Sequence, residues 1–212
     1  MLHIDGVNWK VSEFGSQAVL LEPIIEEGNL EYIHKLFHIL ESENNPLIID
    51  LVPAYTSIAI FYSSSKKEVL VYLDHLDFST LDATQPSIIH VNVNYAKGLD
   101  WDRVIKITGL SKSEVIERHT KPTYTVAMIG FIPGFLFLEG LESILKVPRL
   151  DSPRTNIPAG SVGIGAHQTG IYSLESPGGW NIIGQSNHPF FDVNQTPPIT
   201  ISLGDKLKFN AV

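Results

Sequence analysis

The chain has 212 residues, of which 43% are hydrophobic, and its formal net charge at pH 7 is −8. This length and apolar content suffice for one large hydrophobic core or two small ones. The sequence contains no cysteine, which excludes disulfide frameworks, thiolate nucleophiles and cysteine metal ligands. No window approaches the roughly 18 apolar residues of a membrane-spanning helix, and the first ten residues lack a signal-peptide pattern. We therefore expect a cytoplasmic protein that does not enter a membrane.

The charge is distributed unevenly along the chain. Residues 1–86 carry a net charge of −9, whereas residues 87–212 carry a net charge of +1. This change in composition predicts two domains, 1–86 and 87–212. The acidic first half would repel phosphate backbones, and the second half has no cluster of basic residues with interleaved aromatics. Nucleic-acid binding is therefore not expected.

Strand-like and helix-like patterns alternate in the first half. Residues 16–22 alternate as a strand, and residues 29–44 place apolar side chains on one stripe of a helix. Residues 47–53 and 57–62 follow as a β-hairpin, and residues 66–76 have a second helical pattern. The order βαββα, with a further closing strand as an option, predicts an α+β sandwich with two helices on one face of an antiparallel sheet.

The second half begins with a strand at residues 87–95, followed by two short helices, Leu99–Ile107 and Ser111–Lys121. Ser111 and Glu114 have the spacing of a capping box. After Lys121 the pattern becomes one of short strands broken by Gly and Pro, which favours a closed barrel over an open sheet. The strand candidates are Tyr124–Gly130, Gly160–Gly165, Gly170–Leu174, Trp180–Gly184, Ile199–Leu203 and Lys206–Phe209.

The common short catalytic motifs are missing from the sequence. It has no GxxxxGK[ST] phosphate loop, no HExxH and no GxSxG, and the glycines of GSVGIG do not match a dinucleotide fingerprint. His34 and His38 have a spacing that can bind zinc on a helix, but no third ligand is near in the sequence. We interpret them as surface histidines and predict no metal site.

A long ordered set of motifs covers almost the whole chain. The motifs are VPAYTS (52–57), GFIPGF (130–135), PR (148–149), PR (153–154), PAGSVG (158–163), QTGIY (168–172), SPGGW (176–180) and GD (204–205). The set also includes His119 ahead of Tyr124. In order and spacing it resembles the family variously known as allophanate hydrolase subunit 1, KipI-like protein, or the B subunit of prokaryotic ATP-dependent 5-oxoprolinase.

The resemblance implies an N-terminal ferredoxin-like α+β domain, residues 1–86, followed by a mainly-β cyclophilin-like barrel, residues 87–212. It implies two partners, a carboxyltransferase-like protein of the C type and a barrel protein of the A type, and a complex that uses ATP to open the lactam ring of 5-oxoproline. The sequence shows no cofactor bound directly by this chain. Two alternatives stay open: inhibition of a sensor histidine kinase, as in the KipI branch, and urea- or allophanate-related amide metabolism.

Residues 157–186 are rich in glycine, amides and hydroxyls and poor in nucleophiles, which suits a site that holds a small amide between neutral donors and a cation. Backbone N–H groups in the glycine turns would face a developing oxyanion, and Arg149 and Arg154 would clamp a carboxylate or a phosphate. No nucleophile is evident, and His119 is a weak catalytic candidate. The candidate ligand-binding residues are Pro133, Gly134, Arg149, Arg154, Gln168, Thr169, Ser176, Gly178, Gly179 and Trp180.

Each candidate also has a purely structural interpretation. The two arginines would tie their loop to the barrel, Pro133-Gly134 would form a plain turn, and a histidine at a helix end would cap carbonyls. We interpret the phenylalanines at positions 131, 135 and 137 as core and interface residues. Gln185 stands where the family usually has arginine, which weakens the case for anion binding at that position.

Overall fold

The computed structural model describes residues 1–78 and 88–212. The chain divides into two compact units, Met1–Gln85 and Pro86–Val212. The domain boundary predicted between residues 86 and 87 lies outside the described residues. Within the described ranges, no helix combines the length and the apolar character needed to cross a membrane.

The N-terminal unit is a five-stranded antiparallel sheet with two helices. The sheet order is β1-β2-β3-β5-β4. Apolar residues of both helices, including Ile33, Leu36 and Val69, are fully buried in the same core as those of the strands. The elements are β1 (Leu2–Ile4), β2 (Val7–Glu13), β3 (Ala18–Pro23), α1 (Asn29–Glu43), β4 (Ile48–Pro53), β5 (Ile58–Tyr62) and α2 (Lys66–Asp74).

The prediction of a ferredoxin-like α+β start is wrong. The chain opens with a hairpin, β1–β2, which the sequence analysis missed, and β2 pairs with β3 along its other edge. In a βαββαβ fold that edge would belong to the strand after the second helix. The hairpin thus occupies the position of the closing strand. The N-terminal unit is therefore mainly β and has a sheet of five strands.

The helices and the second hairpin of this unit agree with the sequence pattern. α1 and α2 occupy the two predicted segments, and β4 and β5 pair as the predicted antiparallel hairpin. α2 begins at a capping box formed by Ser65 and Glu68. His34, expected at the surface, is buried on α1.

The C-terminal unit is built on a seven-stranded sheet in the order β13-β10-β11-β8-β7-β14-β6, beside a two-stranded ribbon of β9 and β12. Its strands are antiparallel except for β14 and β6, which pair in parallel. The elements are β6 (Ile88–Val93), α3 (Trp101–Thr108), α4 (Lys112–Thr120), β7 (Tyr124–Ile129), β8 (Leu136–Glu139), β9 (Arg154–Ile157), β10 (Ser161–Gly165), β11 (Gln168–Ile171), β12 (Ser176–Gly178), β13 (Asn181–Gln185) and β14 (Lys206–Ala211).

The two outer strands of this sheet approach each other at a single bridge. The N–H of Asn94, just after β6, donates to the carbonyl of Gln185 at 2.8 Å, and the reciprocal bond is 3.2 Å. The sheet is therefore a nearly closed barrel of mixed strand direction. Its interior holds an apolar core that includes Val91, Val126 and Leu136.

Several element predictions for this half are confirmed. Both short helices form, and Ser111 and Glu114 make the capping box. The predicted strand Ile199–Leu203 is wrong, because these residues form no strand although Ile201 and Leu203 are buried. Three short strands, β8, β9 and β12, were not predicted.

A chain of hydrogen bonds fixes His119 inside the barrel. The Tyr95 hydroxyl lies 2.7 Å from His119 Nδ1, and His119 Nε2 lies 2.9 Å from the Thr169 hydroxyl, which donates to the Gly163 carbonyl at 3.0 Å. Since Thr169 gives its only proton to Gly163, it accepts from His119 Nε2–H. The imidazole is therefore the neutral Nε2–H tautomer, with Nδ1 accepting from Tyr95.

Burial lowers the pKa of His119 to about 3. The ring is fully buried and stacks on Phe209 with centroids 4.7 Å apart. An unfolded histidine has a pKa of about 6.5, so the unfolded chain binds one more proton than the folded chain between the two values. The contribution of this residue to stability is complete above pH 6.5 and declines as the pH falls below it.

We expect the free energy of unfolding to fall more steeply between pH 6.5 and 5 in the wild type than in His119→Gln, by about 1 kcal/mol per pH unit. Urea unfolding at several pH values measures this difference. In the folded wild type, the NMR shifts of the His119 ring should stay constant from pH 7 to 5. A ring that titrates near pH 6.5 would contradict the assignment.

Candidate functional site

An aromatic cluster covers part of the outer face of the barrel. On β8, Leu136 and Leu138 point into the barrel core, so the alternation turns Phe135 and Phe137 outward. The Phe135 ring meets that of Trp180 edge to face, with centroids 5.5 Å apart and an interplanar angle of 88°. Edge-to-face contacts of this kind stabilise a cluster by about 0.5–1.5 kcal/mol per pair beyond the burial itself.

Glycines form the surface on which the Trp180 indole lies. A Cβ at Gly165 would sit 2.6 Å from the indole ring, and a Cβ at Gly170 would sit 3.0 Å from it. Gly163 and Gly170 are cross-strand partners in β10 and β11. The glycines of residues 157–186 therefore leave a bare patch of sheet that a large flat ring can cover, and only 4% of Trp180 remains exposed.

A cleft of about 320 Å³ opens next to the indole. Its volume lies at the small end of the range of ligand sites. It is lined by Phe131, Phe135, Phe137, Arg149, Leu150, Pro153, Tyr172, Pro177, Gly178, Gly179 and Trp180. A wider groove of about 520 Å³ lies beside α2 in the N-terminal unit, but none of the candidate site residues belongs to it.

Hydrogen bonds from the rest of the barrel unit hold four consecutive residues, 147–150, of the loop that carries Arg149. Val147 pairs with Ala166 through two backbone hydrogen bonds, and the Leu150 N–H donates to the Gly179 carbonyl at 2.7 Å. The side chain of Asn181 donates to the carbonyl of Pro148 at 2.9 Å. Arg103 adds a longer bond of 3.4 Å to the Arg149 carbonyl. The backbone of Arg149 is thus fixed at the rim of the cleft.

The Arg149 guanidinium is the cation of the cleft. Its Cζ atom lies 5.7 Å from the centre of the Trp180 ring, within the range of a cation–π contact. Within residues 1–78 and 88–212, no carboxylate lies at ion-pair distance from it. Its side chain is exposed and faces a cleft whose walls are otherwise mostly apolar. An anionic group on a ligand would find a planar donor here that has no carboxylate partner among the described residues.

Arg154 has a different role from Arg149. Its two terminal nitrogens bind both oxygens of Asp100 at 2.6 and 3.0 Å, and Asp100 also accepts the N–H of Ile182 at 2.7 Å. Asp100 is only 7% exposed. This bidentate pair ties β9 to β13 and to the start of α3, so the guanidinium is already satisfied within the protein.

Tyr172 supplies a hydroxyl in the wall of the cleft. Burial raises the pKa of Tyr172, while a hydrogen bond from the Trp180 backbone and the positive charges of Arg149 and Arg154 oppose the rise. The phenol therefore stays protonated at neutral pH. A Cβ at Gly178 would come within 2.3 Å of this hydroxyl, so the glycine lets β12 pass close to it.

The structure brings four of the candidate residues to the cleft, namely Arg149, Gly178, Gly179 and Trp180. His119 and Thr169 lie inside the barrel, both fully buried and bonded to each other. The remaining candidates lie outside the lining. Arg154 is paired with Asp100. The turn after β7 contains Pro133 and Gly134, and Gln168 begins β11 opposite Gly165. Ser176 is buried, and its hydroxyl donates to the Pro177 carbonyl at 3.1 Å.

At Gly160, one of the glycine turns expected to supply oxyanion donors, the backbone groups are used within the protein. The Gly160 N–H donates to the Tyr172 carbonyl at 2.6 Å, and the Gly160 carbonyl accepts from Ser186 at 2.8 Å. A Cβ on Gly160 would lie 2.0 Å from the Ser186 oxygen. Glycine is required at this position because two segments of backbone cross closely.

Sequence reasoning missed several residues of the cleft. Phe137 on β8 and Phe135 just before it have the spacing of two that extended chain gives to residues on the same face, but β8 itself was not predicted. Tyr172 belongs to the QTGIY motif and was not among the candidates. The anchoring residues Asp100 and Asn181 carry no local pattern, since their partners lie far away in the chain.

The family model described as carboxyltransferase domain, subdomain C and D, matches residues 9–201. The chain belongs to this family. Three curated relatives, each named as the B subunit of 5-oxoprolinase, are similar to it. The protein of Bacillus subtilis is 34% identical over 96% of this chain and 92% of its own length, and that of Escherichia coli O157:H7 is 34% identical over 92% of each. The protein of Haemophilus influenzae is 48% identical over 53% of each chain.

Solved structures share this fold. TTHA0988 is 32% identical with a TM-score of 0.83; the match covers 92% of this chain but only 40% of that protein. Protein PH0987 from Pyrococcus horikoshii is 36% identical with a TM-score of 0.58, over 96% of this chain and 97% of its own. The Kluyveromyces lactis urea amidolyase, at 17% identity and a TM-score of 0.72, matches 96% of this chain and 15% of its own, and indicates the fold alone.

Gly165→Ala should displace the indole and lower the free energy of unfolding by about 1–3 kcal/mol, because the new methyl group has no room. The matched control is Gly179→Ala, where the nearest atom to the new Cβ is 3.8 Å away. Urea unfolding measures both variants. Equal stabilities would show that the glycine surface does not set the position of Trp180.

Asp100→Asn should lower the free energy of unfolding by about 3 kcal/mol, because it leaves the Arg154 charge without its partner. Asp102→Asn removes the same charge two residues later, at an exposed position in the first turn of α3, and should change stability by less than about 1 kcal/mol. Thermal and urea unfolding of the two variants provide the comparison. Similar losses in both would contradict a specific role for the pair.

Proposed function

We propose that this chain is the B-type subunit of an ATP-dependent 5-oxoprolinase and that its cleft binds 5-oxoproline. The names of three curated relatives and the family match support the class of complex. The observation that carries the ligand assignment is the Arg149 guanidinium, which lies 5.7 Å from the centre of the Trp180 ring in a cleft with aromatic walls. 5-Oxoproline is a compact five-membered lactam with one carboxylate, so a site for it needs a cation and an apolar wall, and this cleft has both.

In this proposal the chain binds and orients the substrate. The carboxylate lies against Arg149, the ring packs on Trp180 and Phe137, and the protonated Tyr172 hydroxyl is available as a donor to the lactam carbonyl. The residues that line the cleft include no serine, threonine, histidine, lysine or carboxylate. The groups that activate the amide therefore come from outside this cleft.

The reaction converts 5-oxoproline, ATP and water into glutamate, ADP and phosphate. Opening an unstrained lactam needs an activated carbonyl, which the phosphoryl group of ATP supplies. We assign activation to the two partner proteins, one carboxyltransferase-like and of the C type, the other a barrel protein of the A type. This chain alone should give no turnover, whereas the mixture of all three proteins should release glutamate and ADP in equal amounts.

Arg149→Gln should raise the KM for 5-oxoproline about 10- to 100-fold in the assembled complex, since a hydrogen bond to a charged group is worth about 1.5–3 kcal/mol. Lys146→Gln removes the same charge from the same loop, at an exposed residue outside the cleft lining, and should keep the wild-type KM. Steady-state glutamate production at varied 5-oxoproline measures both.

Two results would count against the proposal. If the wild-type mixture forms no glutamate in the presence of ATP, the proposed activity is wrong. If Arg149→Gln has an unchanged KM, the assignment of the cleft as the 5-oxoproline site is wrong. In the first case, autophosphorylation of a sensor histidine kinase with and without the chain would test the alternative function.

A further inference from the structure

The barrel is open beside β6, and the opening forms a groove of about 520 Å³, called here the seam groove. Within the described residues, β6 and β13 meet at the single bridge between Asn94 and Gln185. Beyond this bridge the chain turns away from β6, since the Ser186 N–H donates to the Gly160 carbonyl at 2.8 Å. The seam groove therefore lies where a further strand would pair with β6. Its lining consists of His90, Asn92, Asn94, Gln185, Ser186, Asn187, His188 and Val212.

Backbone groups of β6 face the seam groove in a row. The two backbone bonds between Asn94 and Gln185 lie on the groove side of β6, whereas the Val93 carbonyl accepts from the Val212 N–H on the β14 side. Because the backbone groups of successive strand residues alternate between the two edges, the N–H and C=O groups of His90 and Asn92 also face the groove. Among the residues that the structure describes, none forms a hydrogen bond with these four groups.

β6 also lacks the features that usually protect a free strand edge. Native edges are blunted by lysine, proline, a β-bulge or a covering loop. Residues 88–94 contain no lysine, proline or glycine, and β6 pairs with β14 without a shift of register. Val91 and Val93 are buried in the barrel core, which holds the strand in place from its inner face. An edge this regular is complementary to another strand.

The lining of the seam groove favours an extended polypeptide of low charge. Among the described residues, no lysine, arginine, aspartate or glutamate lines it, and burial lowers the pKa of His188, so that ring is neutral at pH 7. From His90 to Asn94 the edge spans about 13 Å, the length of about four extended residues. Residues 186–188 form the other wall. A slot with two walls fits a single extended segment better than the sheet edge of a second copy of this chain.

We propose that the seam groove binds an extended, uncharged segment of a partner subunit, which adds to β6 as a strand. The inference rests on the part of the proposed function that places this chain in a complex of several proteins. The backbone of the segment pairs with the N–H and C=O groups of His90 and Asn92, the mode of recognition known as β-augmentation. These four groups then have the partners that backbone groups inside a sheet require.

The first test measures amide hydrogen exchange at single residues of the full-length wild type. In the free chain, the amides of His90 and Asn92 should exchange fast, and those of Val91 and Val93 should be protected by their pairing with β14. Adding the purified A-type or C-type protein should slow exchange at His90 and Asn92 at least about tenfold and change Val91 and Val93 little.

Two results of this experiment overturn the inference. One is unchanged exchange at His90 and Asn92 with either protein. The other is protection of these two amides already in the free chain, because the edge would then be covered without a partner subunit.

The second test separates backbone pairing from recognition of side chains. Asn92→Pro removes an N–H that faces the groove and leaves the β6–β14 ladder intact, which a strand with a free edge tolerates. It should weaken binding of the partner protein about tenfold or more, because a carbonyl of the segment loses its donor. The matched control is Asn92→Ala, which also loses the 3.3 Å side-chain contact with Asn210 but keeps the N–H.

Asn92→Ala should bind the partner protein within about threefold of the wild type. Isothermal titration measures both affinities, after circular dichroism has shown that each variant is folded. Equal affinities of the two variants would overturn the inference. If Asn92→Pro does not fold, the exchange experiment on the wild type decides.

These outcomes are independent of catalysis. An inactive three-protein mixture in which exchange at His90 and Asn92 slows would overturn the proposed reaction and support the binding of a segment in the seam groove. An active mixture with unchanged exchange at these amides would overturn only the role of the groove.

Discussion

The position of the Trp180 indole on bare glycine backbone is the contact on which the cleft depends. Gly163, Gly165 and Gly170 have no side chains on the outer face of β10 and β11, so the indole can lie almost against the sheet. The indole then forms the wall beside which Arg149, Phe137 of β8 and Phe135, the residue just before β8, are arranged. A glycine-rich segment that looks like a source of flexible turns is in fact a close-packed surface.

Arg149 and Arg154 are five residues apart but have different roles. Arg154 stabilises the structure, and Arg149 faces the cleft. Arg154 gives both terminal nitrogens to a nearly buried carboxylate and joins three elements. Arg149 keeps its side chain toward the cleft while its backbone neighbours are fixed by Asn181 and Gly179. Because a guanidinium that is already paired has little left to offer a ligand, the two residues differ in function despite their similar Pro-Arg context.

The sequence was informative where the determinants of structure are local. The stripe of α1 and the Ser111–Glu114 capping box could be read directly. The opening hairpin also had a signal, since Asp5-Gly6 separates alternating apolar residues and both turn residues adopt positive φ. Overlooking it led to the wrong fold for this unit. The pairing of Asp100 with Arg154 spans 54 residues, and no spacing rule predicts such a contact.

The parallel pairing of β6 with β14 has a consequence for biosynthesis. β6 opens the C-terminal unit, yet the strand beside it in the sheet is made of Lys206–Ala211, which the ribosome adds more than 100 residues later. The barrel interior cannot be sealed while that segment is still in the exit tunnel. Completion of this unit therefore waits for a segment more than 100 residues downstream, and until then the inner-face residues of β6 lack their partner strand.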